Sequence, residues 1–550
     1  MPRTNGVGTA DVGFSTAHIV SEATHESSLS IADEKNPSKQ GQLPIQMAAL
    51  ALICLMLAVG AYLSFPLFDD AWLVLIMRES GRYAITQTTL DRPVFGFLMQ
   101  GIVSLGGANR LLFVLINAIV WLIFAIEAAL LFRKLFPEFK RYSIVAACLT
   151  LAPIVIQTQL STVNVVLPAN LPTVLSYAGI LILLRDSDVK KPNGGLFLTL
   201  AAALMVSGIA ISEYGVAANL AGIVLLIGAA SMVGAGAARR RLLVSAGWVL
   251  PVTLITYVVF TKIADLGARP SVDPSHVLQS VLSKWMEVPF DIVAGTWRAT
   301  IAAYATALST ITIAWDSKST IIAAFVGLLM ASLLCLGTRA RSTEIPSEDR
   351  REQISRRVAF LLLAILAGLA PVRLMGRTTT LVEFGSRFLI PIMPAAAAVT
   401  LALALRLVGK RFRWVPVAAF GLIIGYATWT FTYTTFQRHR TVAALGMLLQ
   451  PYVAKSDGYT VVIAPFERFE SELTATVAAN WHPEMEQKLW VLSESAGRAQ
   501  FGNRGTCHPS DVLDAENRKV VRRGRLDRLL WVEVRSGKPA TVEQYCLFTN

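Results

Sequence analysis

Apolar runs of about twenty residues recur along this chain from Leu43 to Phe436, separated by polar connections. No other feature limits the fold so tightly. In hydrocarbon, backbone N–H and C=O groups must find partners within the protein, so runs of this length rich in Leu, Ala, Ile and Val read as membrane-crossing helices. Transmembrane β-strands would instead be shorter segments alternating in polarity. Composition agrees: 54% of the 550 residues are hydrophobic and the mean hydropathy is +0.53, against roughly 45–50% apolar for a soluble domain.

Eleven runs qualify: 43–65, 111–132, 142–159, 166–184, 196–211, 216–232, 242–261, 320–336, 358–374, 388–407 and 415–436. The fold class that follows is an all-α polytopic membrane protein of about 11 transmembrane helices, with 11–13 the range if the apolar stretch 293–315 adds a tight pair of crossings. The preferred reading places 285–315 as interfacial helices, because a single extra crossing would put the Arg-rich segment 338–357 on the wrong side.

Loop charge tests this threading. With the N-terminus inside, the cytoplasmic connections are 133–141, 185–194, the Arg239-Arg240-Arg241 triplet, 338–357 and 409–414, and each is basic. The outside connections are 66–110, 160–165, 212–215, 262–319 and 375–387; the second and third carry no Lys or Arg. This alternation follows the positive-inside rule and accounts for the net charge of +13 without nucleic acid as a partner. Residues 1–42 are polar and Ser-rich, with no cleavable signal pattern, and are expected to form a disordered cytoplasmic tail.

After Phe436 no run is long enough to span. Stretches 458–464, 489–492 and 529–534 read as strands and 471–480 as a short helix, so 437–550 is expected to form a small C-terminal α/β domain. An odd number of crossings makes that domain extracytoplasmic, where disulfides persist, and a Cys507–Cys546 bridge is expected. Cys54, Cys148 and Cys335 fall inside apolar runs and read as packing residues.

The first outside loop, 66–110, carries the chemistry. Pro66 ends the first run, and Asp69 and Asp70 follow at the membrane surface. Two short apolar stretches, 71–80 and 94–105, read as surface helices, the second capped by Asp91 with Pro93 in its first turn. Adjacent carboxylates at a low-dielectric boundary raise each other's pKa, and such a pair is hydrogen-bonded, metal-bound or used in catalysis. Capping of the next helix is the structural alternative. A pair of acids supplies too few ligands to require a divalent cation, so metal dependence stays open.

An acidic pair in a long first outside loop, two surface helices and an Arg-Pro start to the second resemble the integral-membrane GT-C glycosyltransferases. Asp91-Arg92-Pro93 looks like the Gly-Arg-Pro region of bacterial Gtr-type O-antigen glucosyltransferases, with Asp91 in place of Gly. Ser386-Arg387-Phe388-Leu389-Ile390-Pro391 is similar to the Arg-aromatic-Leu-x-Pro stretch with which many GT-C enzymes open a late span. The resemblance covers 43–436. It implies that Asp69 or Asp70 is the catalytic base, that the donor is a polyprenyl-phosphate-linked sugar, and that the acceptor is a glycan or lipid of the cell envelope. It also implies a multi-pass protein of a bacterial inner membrane.

Arg92, Arg373, Arg377 and Arg387 all fall at the outer surface in this threading, and a guanidinium fork suits a donor phosphate; interfacial anchoring is the alternative for each. Glu213, Tyr214 and Glu383 are candidates for holding sugar hydroxyls. Asn164 and Asn170 read as helix-end caps. Glu127, inside an apolar run, is expected to pair with Arg133 or Lys134. A transporter, flippase or polymerase of lipid-linked glycans is the competing class. A transporter would expect inverted repeats and several mid-membrane charges, and the sequence offers neither.

Overall fold

A computed structural model describes residues 42–64, 93–107, 109–151, 162–186, 194–233, 236–265, 287–305, 317–339, 348–374, 379, 384–453, 459–464, 489–493, 512–513, 520–522, 526–533 and 541–547. Thirteen α-helices run through them in order: α1 Gln42–Ser64, α2 Pro93–Gly106, α3 Arg110–Leu135, α4 Ser143–Leu151, α5 Leu171–Asp186, α6 Gly194–Ile211, α7 Tyr214–Met232, α8 Ala237–Asp265, α9 Glu287–Trp297, α10 Ser317–Thr338, α11 Glu348–Leu374, α12 Met393–Leu407 and α13 Trp414–Val453. A π-helical turn, Thr162–Asn170, feeds α5, and a 3-10 segment, Phe384–Ile392, feeds α12.

Among the described residues nine helices are long and apolar enough to cross a membrane, and the protein is a multi-pass membrane protein. They coincide with nine of the eleven expected runs. The other two are α6, which is apolar but shorter, and the 142–159 run, of which α4 is described. The helix within 71–80, the Asp69–Asp70 pair and the 471–480 helix lie outside the described residues.

α12 is the centre of the bundle. Of its apolar window 83% is buried, against 28% for α8 and for α10, whose Ile255, Val258, Phe325 and Leu328 face outward as lipid-contacting side chains. Its Ala395–Ala398 run is fully or almost fully buried, and small residues of this kind promote close packing where there is no hydrophobic drive between helices. The same logic joins α10 to α13. A Cβ on Gly425 would stand 2.7 Å from the Val326 carbonyl oxygen, and one on Gly421 would stand 2.6 Å from the Ala331 Cα. Gly421 and Gly425 form a G-x-x-x-G pair on α13, and they act as packing residues.

The basic connections gather at one end. Gln46, at the start of α1, donates from Nε2 to the Gly337 carbonyl at 2.6 Å and the Arg141 carbonyl at 3.0 Å. Arg357, early in α11, donates through one nitrogen to both oxygens of Glu138 at 2.9 and 2.7 Å. The starts of α1, α4, α11 and α13 therefore meet the ends of α3 and α10. At the other end of the bundle, Gly60 packs on Thr432 and Trp429 Nε1 donates to Ser319 at 3.3 Å.

α9 departs from the expected surface helix. Asp291 sits at the level of Arg373, the last turn of α11. A π-helical turn, Arg298–Ala302, then carries the chain inward: Ala299 is fully buried, Thr400 of α12 donates to the Thr300 carbonyl at 3.0 Å, and Tyr304 packs on Phe420 with ring centroids 5.8 Å apart. The segment enters the bundle between α11 and α12. Ser317 opens α10 back at the Trp429 end, so the alternation of loop charge is preserved.

α13 also outlasts the expected crossing at Phe436 and stays helical to Val453. Beyond it lie strands β1 Tyr459–Ala464, β2 Leu489–Ser493, β3 Val512–Leu513, β4 Val520–Arg522, β5 Leu526–Glu533 and β6 Thr541–Leu547. They form a sheet of order β2-β1-β5-β6, with β1 parallel to β2 and β5 and with β5 antiparallel to β6, and a separate β3-β4 pair. Cys546 lies in β6 opposite Leu529, while Cys507 is outside the described residues.

Candidate functional site

The end of the bundle opposite the basic loops collects the described members of the expected site. Gly208 and Gly215 bring α6 and α7 into near-contact: a Cβ on Gly215 would lie 2.6 Å from the Gly208 carbonyl carbon. The turn between them is held tight by Gly215 N–H donating to the Ser212 carbonyl at 3.0 Å. It presents Glu213, half-buried, whose Oε2 accepts from the Ser212 hydroxyl at 2.9 Å. Tyr214 turns inward and is 3% exposed.

The 3-10 segment packs between α7 and α11. Its Phe388 ring stacks on Tyr214, centroids 5.7 Å apart and planes 13° from parallel. The Arg387 guanidinium carbon stands 5.3 Å from the centre of the same Phe388 ring. Thus an arginine and an acidic turn from opposite halves of the sequence meet through one aromatic stack. Such rings prefer offset stacking and fix each other's position. Behind them the Tyr177 hydroxyl donates to the Pro391 carbonyl at 2.9 Å, which ties the segment to α5 where Pro394 brings no N–H of its own.

Arg373 is engaged. Its guanidinium pairs with Asp291 of α9, with side chains 11% and 28% exposed. A third cation, Arg298, donates to the Thr379 carbonyl at 2.7 Å and to the Thr379 hydroxyl at 3.1 Å. Asp291, Arg298 and Thr379 were not singled out from sequence. The available signal was an acid set in an apolar stretch, Val288-Pro289-Phe290-Asp291-Ile292-Val293, since a charge at membrane depth needs a partner.

Of the expected site residues, Arg387, Glu213 and Tyr214 come together, and Arg373 lies on the adjoining helix. Asp69, Asp70, Arg92, Arg377, Glu383 and Cys507 lie outside the described residues. Asn170 is fully buried in the π-helical turn. Glu127 is 5% exposed and its Oε2 accepts no hydrogen bond. The expected partners Arg133 and Lys134 are both exposed on the same helix, so Glu127 turns into the bundle, not toward them. Among the described residues no three His, Cys, Asp or Glu side chains gather as a metal site.

No protein-family model and no curated protein matches the sequence. Solved structures with similar helical arrangements include the oligosaccharyltransferase of Archaeoglobus fulgidus in complex with zinc and sulfate, at 13% identity and a TM-score of 0.37, covering 77% of this chain and 61% of that one. ArnT from Cupriavidus metallidurans bound to undecaprenyl phosphate is similar at 13% identity and a TM-score of 0.36, covering 88% of this chain and 92% of that one. Likenesses of this size assign no reaction to this chain, which spans about three fifths of the oligosaccharyltransferase's length.

Proposed function

We propose that this chain is a GT-C-like glycosyltransferase that moves a sugar from a polyprenyl-phosphate donor to a glycan or lipid acceptor of the cell envelope. The reaction takes place on the face opposite the basic loops, with the N-terminus cytoplasmic and 437–550 extracytoplasmic, in a bacterial inner membrane. An O-antigen acceptor is the finer form of this reading, suggested by the Asp91-Arg92-Pro93 resemblance.

The observation that carries the reading is the Arg387–Phe388–Tyr214 junction. It sets a guanidinium beside an acidic turn at a bundle end, in a segment that matches the motif opening a late GT-C span. In the proposed step the acceptor hydroxyl oxygen bonds to the anomeric carbon while Asp69 or Asp70 takes its proton. The bond from the anomeric carbon to the lipid phosphate oxygen breaks, and the phosphate keeps the electron pair. Arg387 offers planar donors to the charge that grows on that phosphate. Glu213 accepts hydrogen bonds from sugar hydroxyls, and the Tyr214–Phe388 stack holds Arg387 and Glu213 in register. Arg373, neutralised by Asp291, positions α9 against α11.

The test is transfer from a polyprenyl-phosphate sugar by the full chain in vesicles. Asp69→Asn or Asp70→Asn should abolish product at normal expression, and Arg387→Lys should weaken donor use about tenfold to a hundredfold. Normal product from both aspartate variants would remove the reading.

A further inference from the structure

The 3-10 winding of Phe384–Ile392 has a cause in the sequence. In an α-helix the ring of Pro391 would meet the carbonyl of Arg387, its i−4 neighbour, so the chain does not wind as α through these residues. That winding decides where Arg387 goes. Counted back from Pro391, an α-helical path would leave the arginine about 2 Å nearer α12 and aim it about 80° away. Runs of 3-10 helix beyond about four residues are uncommon. This one has nine, so it depends on its neighbours.

The prolines also leave one carbonyl in need of a partner. In a 3-10 helix the Pro391 carbonyl would accept from the residue three on, which is Pro394 and has no N–H. α12 opens after its cap Ile392, so the same carbonyl stands outside that helix's own ladder. Pro391 is buried, and a buried carbonyl needs a donor from elsewhere. α5 supplies it: Tyr177, fully buried, donates its hydroxyl to this carbonyl at 2.9 Å.

The rest of the segment is held by less directional forces. Leu389, Ile390 and Ile392 are fully buried, and Phe388 stacks on Tyr214 of α7. Apolar burial does not by itself forbid a slide or a rotation, whereas a hydrogen bond weakens steeply when its geometry is lost. We propose, on the glycosyltransferase reading above, that Tyr177 is a positioning residue for donor binding. Its hydroxyl locks the register and rotation of the 3-10 segment, and through that segment it fixes the height and aim of Arg387 toward the lipid-linked phosphate. Tyr177 itself touches neither donor nor acceptor.

The experiment measures binding of undecaprenyl phosphate to the full chain in phosphatidylcholine nanodiscs, with the melting temperature read alongside. Tyr177→Phe keeps the ring and removes one oxygen, and it should weaken binding about fivefold. In an Arg387→Gln chain the same change should have no further effect on affinity, because the group it positions is gone. Thr150→Val removes another buried hydroxyl-to-carbonyl bond, to Ala146 at 2.9 Å in α4. It should lower the melting temperature without moving the affinity. A Tyr177→Phe chain that binds as tightly as the parent, that loses the same factor with and without Arg387, or whose loss Thr150→Val matches, overturns the positioning role and leaves the proposed function standing. A parent chain that does not bind undecaprenyl phosphate overturns both.

Discussion

Arg373 in the last turn of α11 and Asp291 in α9 form an ion pair across 82 residues of sequence. It is the described polar link that pins α9 where it enters the bundle. Gly295, one turn on, packs closely on α11: a Cβ there would stand 2.9 Å from Leu369 Cδ1, which would have to shift. Charge and close packing therefore fix the same contact.

Asp291→Asn should lower stability by on the order of 2 kcal/mol, between the values for exposed and buried pairs. Arg373→Gln should cost a similar amount, and the double variant less than the sum of the two. Thermal unfolding of the purified protein in detergent reads this. Strictly additive losses would mean that the two side chains do not act on each other.

Gly425→Val should disrupt the α10–α13 contact, since a Cβ there meets the Val326 carbonyl at 2.7 Å and backbone cannot yield cheaply. Gly247→Ala is the counterpart. Nothing lies within 4 Å of a Cβ at Gly247, in α8, and alanine is the better helix former by about 1 kcal/mol. The first variant should fall in melting temperature and the second hold or rise. Equal behaviour would contradict the close approach.

Tyr214→Phe keeps the stack on Phe388 and should retain transfer activity. Tyr214→Leu loses it, at about 1 kcal/mol for an aromatic pair, and should weaken use of the lipid-linked sugar about fivefold with little change in expression. Donor titration in vesicles separates the two. A phenylalanine variant as poor as the leucine one would assign the effect to the hydroxyl and not to the ring.

Arg357→Ala should destabilise more than Arg356→Ala. Arg357 and Glu138 are 13% and 16% exposed, and removing one leaves the other buried, a loss of about 3 kcal/mol. Arg356 and Glu352 are 55% and 74% exposed on one helix face, where such pairs contribute about 0.3–0.5 kcal/mol. Denaturant titration ranks them, and comparable losses would show that burial does not set the difference.

Helix placement was legible because a span announces itself in about twenty consecutive residues, and loop charge added the sorting of ends seen in the Gln46 and Arg357 contacts. The descent of α9 was not, since hydropathy measures how apolar a segment is and not whether it lies flat or inserts. What draws it inward is tertiary: small residues at Gly295 and Ala299 fit against α11 and α12. The continuation of α13 past Phe436 was missed for the opposite reason. Gln437-Arg438-His439-Arg440 ends the apolar run but not the helix, because polar side chains carry no penalty once the helix leaves lipid. Arg387 is a candidate that its motif alone singles out, whereas the Asp291 partner of Arg373 is visible only when distant segments are brought together.

The 40 residues of α13 give it a length of about 60 Å, roughly twice the hydrocarbon thickness of a bilayer. Its overhang past Phe436 is about 25 Å, on the same side of the bundle as Arg373 and Arg387. A single continuous helix makes that overhang a mast, with Pro451 set in its last turn. The helix thus carries the chain well past the end of its apolar run before the first described strand begins at Tyr459.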